Sequence, residues 1–335
     1  YVSLGGGELY YHVVKATPAP TTQEPQHLSD FTIKALANSS IGNLSLSGGF
    51  GGTAGIGVGV SRNIINNTVS SGLSSSHFTA NKVLVLTDAL ADVDTIGIGA
   101  SGAGTFALTG STAFTTIKGS AKSTVTDNVL TVKDAAVFNA LSDQTFGSYG
   151  GGLSIAGTAA VGLTVTTANN DTTVLTELSG NQITQTGGTG TLEVATGVSD
   201  DDIHNEIAEE GALSTAASLA TKRQTETVNG IYVGAMNSST YKALVLNTAL
   251  SGNTAAQGSL NFTTHKGSTT TRLTGDTLSA EKGVTVHTGD YANVMSVLAG
   301  VAGSSAVAAG GIYNQTATAR KVETEVKSNA SLTGN

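Results

Sequence analysis

The sequence predicts an all-β protein, a right-handed parallel β-helix (β-solenoid) with one short helical insertion. Three observations predict it. Gly, Thr, Ser and aliphatic residues dominate the chain, which has 335 residues, 43 Gly and only 12% charged residues, a composition that favours strands over helices. Short alternating strands recur along the chain. The three Pro lie together at positions 18 to 25, away from the strands, where the missing N–H would break a hydrogen-bond ladder.

The composition also excludes several classes of protein. The glycines keep no three-residue period, which excludes collagen, and 39% hydrophobic residues with a net charge of −8 argue against disorder. The acidic balance argues against nucleic-acid binding, which needs clustered Lys and Arg. Because there is no Cys, disulfides and thiol chemistry are excluded.

The first repeated element is a short strand with two apolar residues at period two, so that one face can point into a core. Its copies are spaced by about 50 residues on average, which is a length typical of repeat architectures. The copies begin at Phe31, Leu84, Leu130, Leu192, Ala243 and Val284.

A second element falls between successive copies of the first. It consists of a Gly-rich run, an apolar alternation, a polar segment and another apolar strand, so each unit is predicted to supply about three short strands. Its clearest copy is "GGTAGIGVGVSRNIINNTVSSGL", and looser copies keep the same order. These copies span residues 51–73, 106–125, 161–178, 260–273 and 306–326.

Such units must stack, because none can bury its apolar face alone. A propeller would carry aromatic punctuation and a nearly constant blade length, whereas this chain has 5% aromatic residues and no Trp. The variable spacing favours a solenoid instead. With coils of about 20 to 25 residues rising ~4.8 Å each, we expect a rod of roughly 70 Å.

Two segments depart from the repeat. Residues 1–14 read as a detached strand, followed by a Pro-containing linker at 15–27, and the solenoid is expected over 28–335. Residues 199–223, "SDDDIHNEIAEEGALSTAASLATKR", predict a helix inserted in a loop, with acidic residues at its N-terminus and basic residues at its far end. The detached strand is expected to cap the first coil or to pair with a neighbouring molecule. The assembly candidates are Tyr10, Tyr11, Val13, Phe31 and Ile33.

The order "VGVSRNIINNTV" followed by "NKVLVLTDA" resembles the passenger repeats of large bacterial autotransporter and filamentous-haemagglutinin-like adhesins, especially the leukotoxin-like filamentous group. The resemblance covers residues 28 to 335 outside the predicted helix. It implies secretion, a right-handed β-helix and a role in adhesion or aggregation, with no catalytic residue. Because the chain begins at Tyr1 and ends inside a repeat, we expect either a piece of a longer solenoid or a protomer that continues head to tail.

Cofactor and metal motifs are weak. "GIGASG" at 97–102 matches G-x-G-x-x-G, but no helix pattern comes after it, so no cofactor is predicted. The dense acidic cluster in the predicted helix makes Ca²⁺ the only metal to consider, although solvated acids at a helix start are the favoured interpretation. The candidate ligands are Asp200, Asp201, Asp202 and Glu206.

An extracellular structural and adhesive rod is therefore the predicted function, as part of a bacterial surface adhesin or as the repeating body of a filament, and not as an enzyme. Expected partners are other copies, head to tail or side by side, and surface receptors or glycans; nucleic acid and a membrane span are not expected. The alternative is a polysaccharide lyase or glycosidase built on a β-helix, which would use paired carboxylates. Its candidate acids are Asp88, Asp92, Asp94, Asp134 and Asp143.

Overall fold

The computed structural model describes residues 10–11, 28–198, 223–327 and 330–334, and these residues contain strands and no helix. The described part of the chain is therefore all-β, the class that the sequence predicts. The strands are β1 (Tyr10–Tyr11), β2 (Phe31–Gly51), β3 (Ala54–Ser74), β4 (His77–Ala103), β5 (Phe106–Thr126), β6 (Val129–Ala156), β7 (Ala159–Ser179), β8 (Gln182–Gln185), β9 (Leu192–Val198), β10 (Arg223–Val228), β11 (Ile231–Ser251), β12 (Thr254–Thr274), β13 (Thr277–Ala280), β14 (Val284–Gly303), β15 (Val307–Lys327) and β16 (Ser331–Gly334).

Two long parallel sheets contain most of these strands. Sheet A is built on β2, β4, β6, β11 and β14, and sheet B contains β3, β5, β7, β12 and β15. The chain alternates between the sheets, and the register repeats at a nearly constant interval. Val83 pairs with Ala136, and Ile231 pairs with Val284 at the same separation in sequence. Between β6 and β11 the interval lengthens, because residues 186–230 are inserted there.

We call each such repeat a layer. A layer has a long strand in sheet A, a long strand in sheet B and a strand segment of four residues that closes it toward the next layer. In layers one and two this segment is the start of β4 and of β6, and in layers three to five it is β8, β13 and β16. Parallel stacking of this kind is consistent with a β-solenoid. Within the described residues the layers span 31–80, 83–132, 136–185, 231–280 and 284–334.

The predicted unit of about 50 residues is close to the observed interval, but its internal division is wrong. The part of each long strand that belongs to one layer runs for 20 or 21 residues, about 70 Å, so one unit is one layer and not two shorter coils. Five layers stacked at ~4.8 Å place the first and last strands only about 20 Å apart. The long dimension therefore lies along the strands, not along the stacking direction.

The two sheets diverge from a thin end to a wide end. The wide end holds the largest apolar core, in which Val85, Leu130, Phe138, Leu178 and Ile231 are almost fully buried. Since apolar burial contributes about 25 cal/mol per Å², we expect this end to contribute most of the hydrophobic stabilisation of the stack.

The thin end, which we call the rim, comprises residues 44–60, 96–112, 149–165, 244–260 and 297–313, which lie beside one another in register. Here the sheets touch backbone to backbone. A Cβ added at Gly97 would lie 2.5 Å from the carbonyl oxygen of Thr112 in the opposite sheet. The Gly-rich runs of the sequence thus allow a close approach of the sheets that no other residue permits.

A ladder of buried amides fixes the corner between sheet B and the four-residue strands. Asn128 donates from Nδ2 to Asn181 Oδ1 at 2.8 Å, and Asn181 donates from Nδ2 to Asp276 Oδ1 at 2.7 Å. The same oxygens accept the backbone N–H groups of Asn128 and Asn181. The preceding residue is left-handed in layers one to four, with φ of 49° at Ser75, 56° at Asp127, 69° at Gly180 and 68° at Gly275, so the corner conformation repeats through these layers.

We expect Asn181→Ala to lower the free energy of unfolding by about 1 to 3 kcal/mol, because the buried backbone N–H of Asn128 loses its acceptor and Asp276 Oδ1 loses the donor Asn181 Nδ2. Urea denaturation monitored by circular dichroism measures the loss. The matched control is Asn66→Ala, at an exposed position on β3, which should change stability little. Equal effects at the two positions would show that the ladder contributes nothing specific.

The predicted helix at 199–223 lies outside the described residues except for Arg223. That residue begins β10 and does not end a helix, which corrects the predicted boundary. The described arms of the insertion, β9 and β10, pair antiparallel and pack on the outer face of sheet A, where Val194 and Val228 contact Val137 and Tyr232. A β-strand pair therefore covers part of the wide end.

A buried histidine lies between the sheets. His265 on β12 is fully buried, with its ring 5.4 Å from Phe146 and 6.2 Å from Tyr241 between centroids. Burial, together with the nearby positive charge of Arg320, lowers its pKa from 6.5 to about 4. As pH falls, the imidazole of His265 is therefore protonated in the unfolded chain before it is protonated in the folded chain. The contribution of His265 to stability is complete above about pH 6.5 and is lost as pH falls toward 4.

We expect His265→Phe to protect the fold in acid. Phe fits between the same two rings and cannot be protonated, so the variant should gain up to about 3 kcal/mol relative to the unsubstituted chain near pH 4. Denaturation at a series of pH values between about 4 and 8 measures the difference. His77→Phe, at an exposed residue, is the control. A gain that does not depend on pH would contradict this assignment.

Candidate functional site

Four of the five acids proposed for an enzyme lie on the outer face of sheet A. We call these acids, together with their basic and phenolic neighbours, the wall cluster. Asp143 is fully buried and Asp92 nearly so. Strand alternation explains the grouping, since residues two apart on β4 share one face, and layer three supplies Asp143 and Tyr149 to the same face. The members are Asp88, Asp92, Asp94, Asp143, Tyr149, Arg223 and Lys242.

Arg223 holds one half of the wall cluster together. Its Nη1 and Nη2 donate to the two carboxylate oxygens of Asp88 at 2.9 and 2.8 Å, and the guanidinium also contacts Asp143. Desolvation raises the pKa of Asp143 to about 6, although Arg223 acts in the opposite direction. One cation at the base of the insertion therefore bridges two carboxylates that belong to different layers.

The other half of the cluster centres on Asp94. This residue is in register with Gly147 and, one layer further on, with Lys242. A Cβ at Gly147 would lie 2.4 Å from Tyr149 Oη and 2.5 Å from Asp94 Oδ1, so the glycine leaves room for these two groups to meet. Desolvation, and then repulsion from Asp92, raises the pKa of Asp94 to about 7. Desolvation also raises the pKa of Tyr149.

The raised pKa of Asp94 predicts a loss of stability toward alkaline pH. The folded chain holds the proton of the Asp94 carboxyl more tightly than the unfolded chain does. The stabilisation that results is complete below about pH 3.8 and is lost as pH rises through about 7. Asp94→Asn keeps this side chain uncharged at every pH, so it should remove the part of the alkaline loss of stability that comes from Asp94. Urea denaturation between about pH 5 and 9 measures it.

The control for that experiment is Asp171→Asn, at an exposed position on β7. If both variants show the same pH dependence as the unsubstituted chain, Asp94 does not carry the proton assigned to it.

The remaining predicted site residues are dispersed. Asp134 lies at a layer corner, away from the wall cluster, where its Oδ1 accepts the backbone N–H of Gly190 at 3.0 Å. The Ca²⁺ candidates Asp200, Asp201, Asp202 and Glu206 lie outside the described residues. Within the described part of the chain, no three His, Asp or Glu side chains group closely enough to hold a metal ion.

The assembly candidates lie at the first layer. Tyr10 and Tyr11 form β1, which pairs antiparallel with Leu36 and Ala35 on the free edge of β2, and Val13 lies outside the described residues. Phe31 is half-buried, with its ring 4.6 Å from that of Phe78, and Ile33 packs against the same wide-end core. Whether β1 caps its own sheet or pairs with another molecule stays a prediction.

Sequence reasoning misses the basic and phenolic members of the cluster. Lys242 and Tyr149 lie within uncharged or apolar stretches, and only the register of β4, β6 and β11 brings them to Asp94. Arg223 falls at the end of the predicted helix. The constant interval between register partners, such as Asp94 and Gly147, could have identified these residues. That interval predicts which side chains of successive layers lie beside one another.

The last layer shows a bare inner face. Each of β3, β5, β7 and β12 in sheet B packs on two strands of sheet A, whereas β15 packs on β14. As a result Ile312, Val322 and Val326 are about half exposed, at 52%, 51% and 50%, although their register partners in β12 are fully buried. At the opposite end, the inner residues of β2 other than Ala35 are half-buried for the same reason. Both ends of the stack thus present an incomplete half-layer.

Comparisons with known proteins identify no relative. No protein-family model matches the chain, and no match was found among curated proteins or solved structures. In the described ranges, no helix has the length and apolar character needed to cross a membrane.

Proposed function

We propose that this chain is a structural and adhesive shaft module of an extracellular bacterial rod, in which layers stack as a right-handed β-solenoid. The observation that carries the proposal is the incomplete half-layer at each end of the stack. These end strands of 20 or 21 residues are paired along one edge, and the other edge, occupied on β2 only by the two residues of β1, is a template for further pairing. Parallel crossover connections within one sheet are almost always right-handed, which supports the proposed hand.

The two ends are complementary in sequence as well as in shape. Continuing the register from layer five into layer one would place Val286 beside Ile33 and Val326 beside Leu73. Apolar residues would meet apolar residues, and the bare face of β15 would cover the half-buried face of β2. The added layer can come from another copy or from further residues of the same polypeptide. A stack continued in this way would be a rod of uniform cross-section.

Adhesion would result from the rod by multivalency. A stiff stack presents the same outer faces at a fixed interval, so weak contacts with surface receptors or glycans add through effective concentration. No single binding residue is required by this mechanism. The resemblance of the sequence to adhesin passenger repeats supports the same function and an extracellular location.

Charging the bare face of β15 tests the proposal. We expect the unsubstituted chain to form larger species with increasing concentration in sedimentation velocity runs, and the charged variant to stay monomeric. A control with charges on the outward face of the same strand should still associate. If the unsubstituted chain stays monomeric at every concentration, the stacking proposal fails. The variant carries Ile312→Lys, Val322→Lys and Val326→Lys, and the control carries Gln315→Lys, Ala317→Lys and Ala319→Lys.

Polysaccharide processing is a second candidate, favoured by the gathering of four acids and by the raised pKa of Asp94, since acid and base roles require carboxyl groups with different pKa values. The burial of Asp143 and its ion pair with Arg223 support a structural role for the cluster. Incubation with acidic and neutral glycans tests the enzyme directly. Cleavage that is abolished by Asp94→Asn would favour the enzyme over the shaft.

A further inference from the structure

The interior of the rim is lined by buried alanines and by Ser and Thr side chains, whereas its large apolar side chains lie on the exterior. Its interior contains hydroxyl groups that bond one another across the sheets: Ser101 Oγ lies 2.6 Å from Thr109 Oγ1, and Ser154 Oγ donates to the carbonyl of Ala107 at 3.0 Å. Its exterior carries large aliphatic side chains that are 39% to 49% exposed in the central layers. Those on sheet A are Ile98, Leu153, Ile155, Leu246 and Leu250.

The opposite face of the rim is apolar too. On sheet B, Phe106 and Leu163 are 37% and 45% exposed. All of these residues belong to layers two, three and four, which have neighbours on both sides, so their exposure does not depend on whether the stack continues beyond its last layer. Contiguous apolar surface of this extent on a protein marks an interaction site.

Charge is segregated away from the rim. None of its five segments contains Asp, Glu, Lys, Arg or His. The ion pairs of sheet B lie toward the wide end, where Glu177 pairs with Lys122 and Arg272. From Ile96 to the turn after Ala103 the charge-free strand extends about 26 Å. This is comparable to the thickness of a bilayer hydrocarbon core, about 30 Å.

The backbone of the rim is also satisfied. The turns that join the sheets continue the ladder between layers: Gly104 N donates to Gly52 O at 2.9 Å, and Ala159 N donates to Thr105 O at 2.8 Å. Peptide groups can enter hydrocarbon only when they are hydrogen-bonded within the protein. The turn residues Gly104, Gly157 and Gly252 of the central layers each donate their backbone N–H to the preceding layer.

We propose that the rim is a docking surface for a lipid membrane, into whose hydrocarbon its edge and both apolar faces insert. A second protein would cover one face of so thin a structure, whereas lipid surrounds both faces and the edge at once. The wide end, with its charges, stays in water. Because the rim carries no cation, attachment relies on apolar burial and does not require anionic lipid. This function goes beyond the shaft and is independent of how the layers continue.

Single-tryptophan variants test the proposal cleanly, because the chain has no Trp. Leu153→Trp places the probe on the rim, and Val129→Trp places it at a 39% exposed apolar position on the four-residue strand of layer two, away from the rim. With phosphatidylcholine vesicles we expect the emission of Leu153→Trp to shift to shorter wavelength and to be quenched by brominated acyl chains. Val129→Trp should not respond.

A second set of variants measures the strength of attachment. Replacing Ile98, Leu153 or Leu246 by Ser should each lower the vesicle partition coefficient by about tenfold, the effect of losing one buried aliphatic side chain. Adding phosphatidylserine to the vesicles should not raise it. Circular dichroism checks that each variant keeps its strands.

Three outcomes would overturn the proposal. The first is that the chain does not sediment with vesicles. The second is that both tryptophan probes respond alike. The third is a spectral shift of Leu153→Trp that appears without lipid and grows with protein concentration, which would assign the rim to side-by-side contact between copies. None of these depends on end-to-end association, which the charged variants of β15 measure separately.

Discussion

Arg223→Met should lower the free energy of unfolding by about 3 to 5 kcal/mol, because it leaves two carboxylates without their cation in a desolvated site. Asp143 is fully buried and Asp88 has only 13% of its side chain exposed. Each would have to be protonated or hydrated in the variant, and either change disturbs the outer face of sheet A. Urea denaturation at neutral pH measures the loss.

The control for this variant is Arg272→Met on sheet B. Arg272 also bridges two acids, Glu177 and Glu325, but a third of its side chain is exposed, so its loss should cost at most about 1 kcal/mol. Adding Asp88→Asn and Asp143→Asn to Arg223→Met removes the unpaired charges and should recover much of the stability. Equal losses at Arg223 and Arg272, or no recovery, would contradict the view that the loss comes from two buried acids left without the cation of Arg223.

Gly97→Ala should also cause a large loss in the free energy of unfolding. The new Cβ would lie 2.5 Å from the carbonyl oxygen of Thr112 and 3.0 Å from its carbon. Both are backbone atoms, which cannot rotate away, and β4 is held by β2 and β6 on its two sides. The sheets must therefore separate at the rim. We expect a loss of about 3 kcal/mol, at the upper end of the cost of overpacking.

Gly42→Ala is the matched control on β2, since nothing lies within 4 Å of a Cβ at that position. It should be neutral or slightly stabilising, because Ala restricts the unfolded chain more than Gly does. Thermal denaturation of both variants compares them directly. A tolerated Ala at Gly97 would show that the sheets are not in backbone contact at the rim.

The sequence predicts the sheet B strands well. The five copies of the second repeated element fall on β3, β5, β7, β12 and β15, because the alternation of Gly or polar residues with apolar residues marks a face that is half buried. The all-β class and a repeating unit of about 50 residues are predicted by the same signal.

The sheet A strands are harder to predict. Of the alternating strands chosen as the first element, those at Phe31 and Val284 are equivalent in register, whereas Leu130 lies in a four-residue strand and Leu192 in the insertion. The second half of each sheet A strand has the composition of a Gly-rich connection. Gly and Ser ordinarily indicate loops, but here they form the thin interior of the rim, so strand length could not be predicted from composition.

The candidate site shows the same limit. Alternation on β4 places Asp88, Asp92 and Asp94 on one face, but their partners come from other layers and from the insertion. Asn128, Asn181 and Asp276 stack only because a left-handed residue precedes them at each corner. Such contacts depend on register between segments that are far apart in sequence, which periodicity within one segment does not define.

Layer stacking as a continuous shaft is the central claim, and cryo-electron microscopy of the native material tests it most directly. The predicted result is straight rods with layers about 4.8 Å apart along the axis, each with a wide end and a thin rim, and with no break in stacking between the layer that contains β15 and the next. Separate compact particles with free end strands would contradict it.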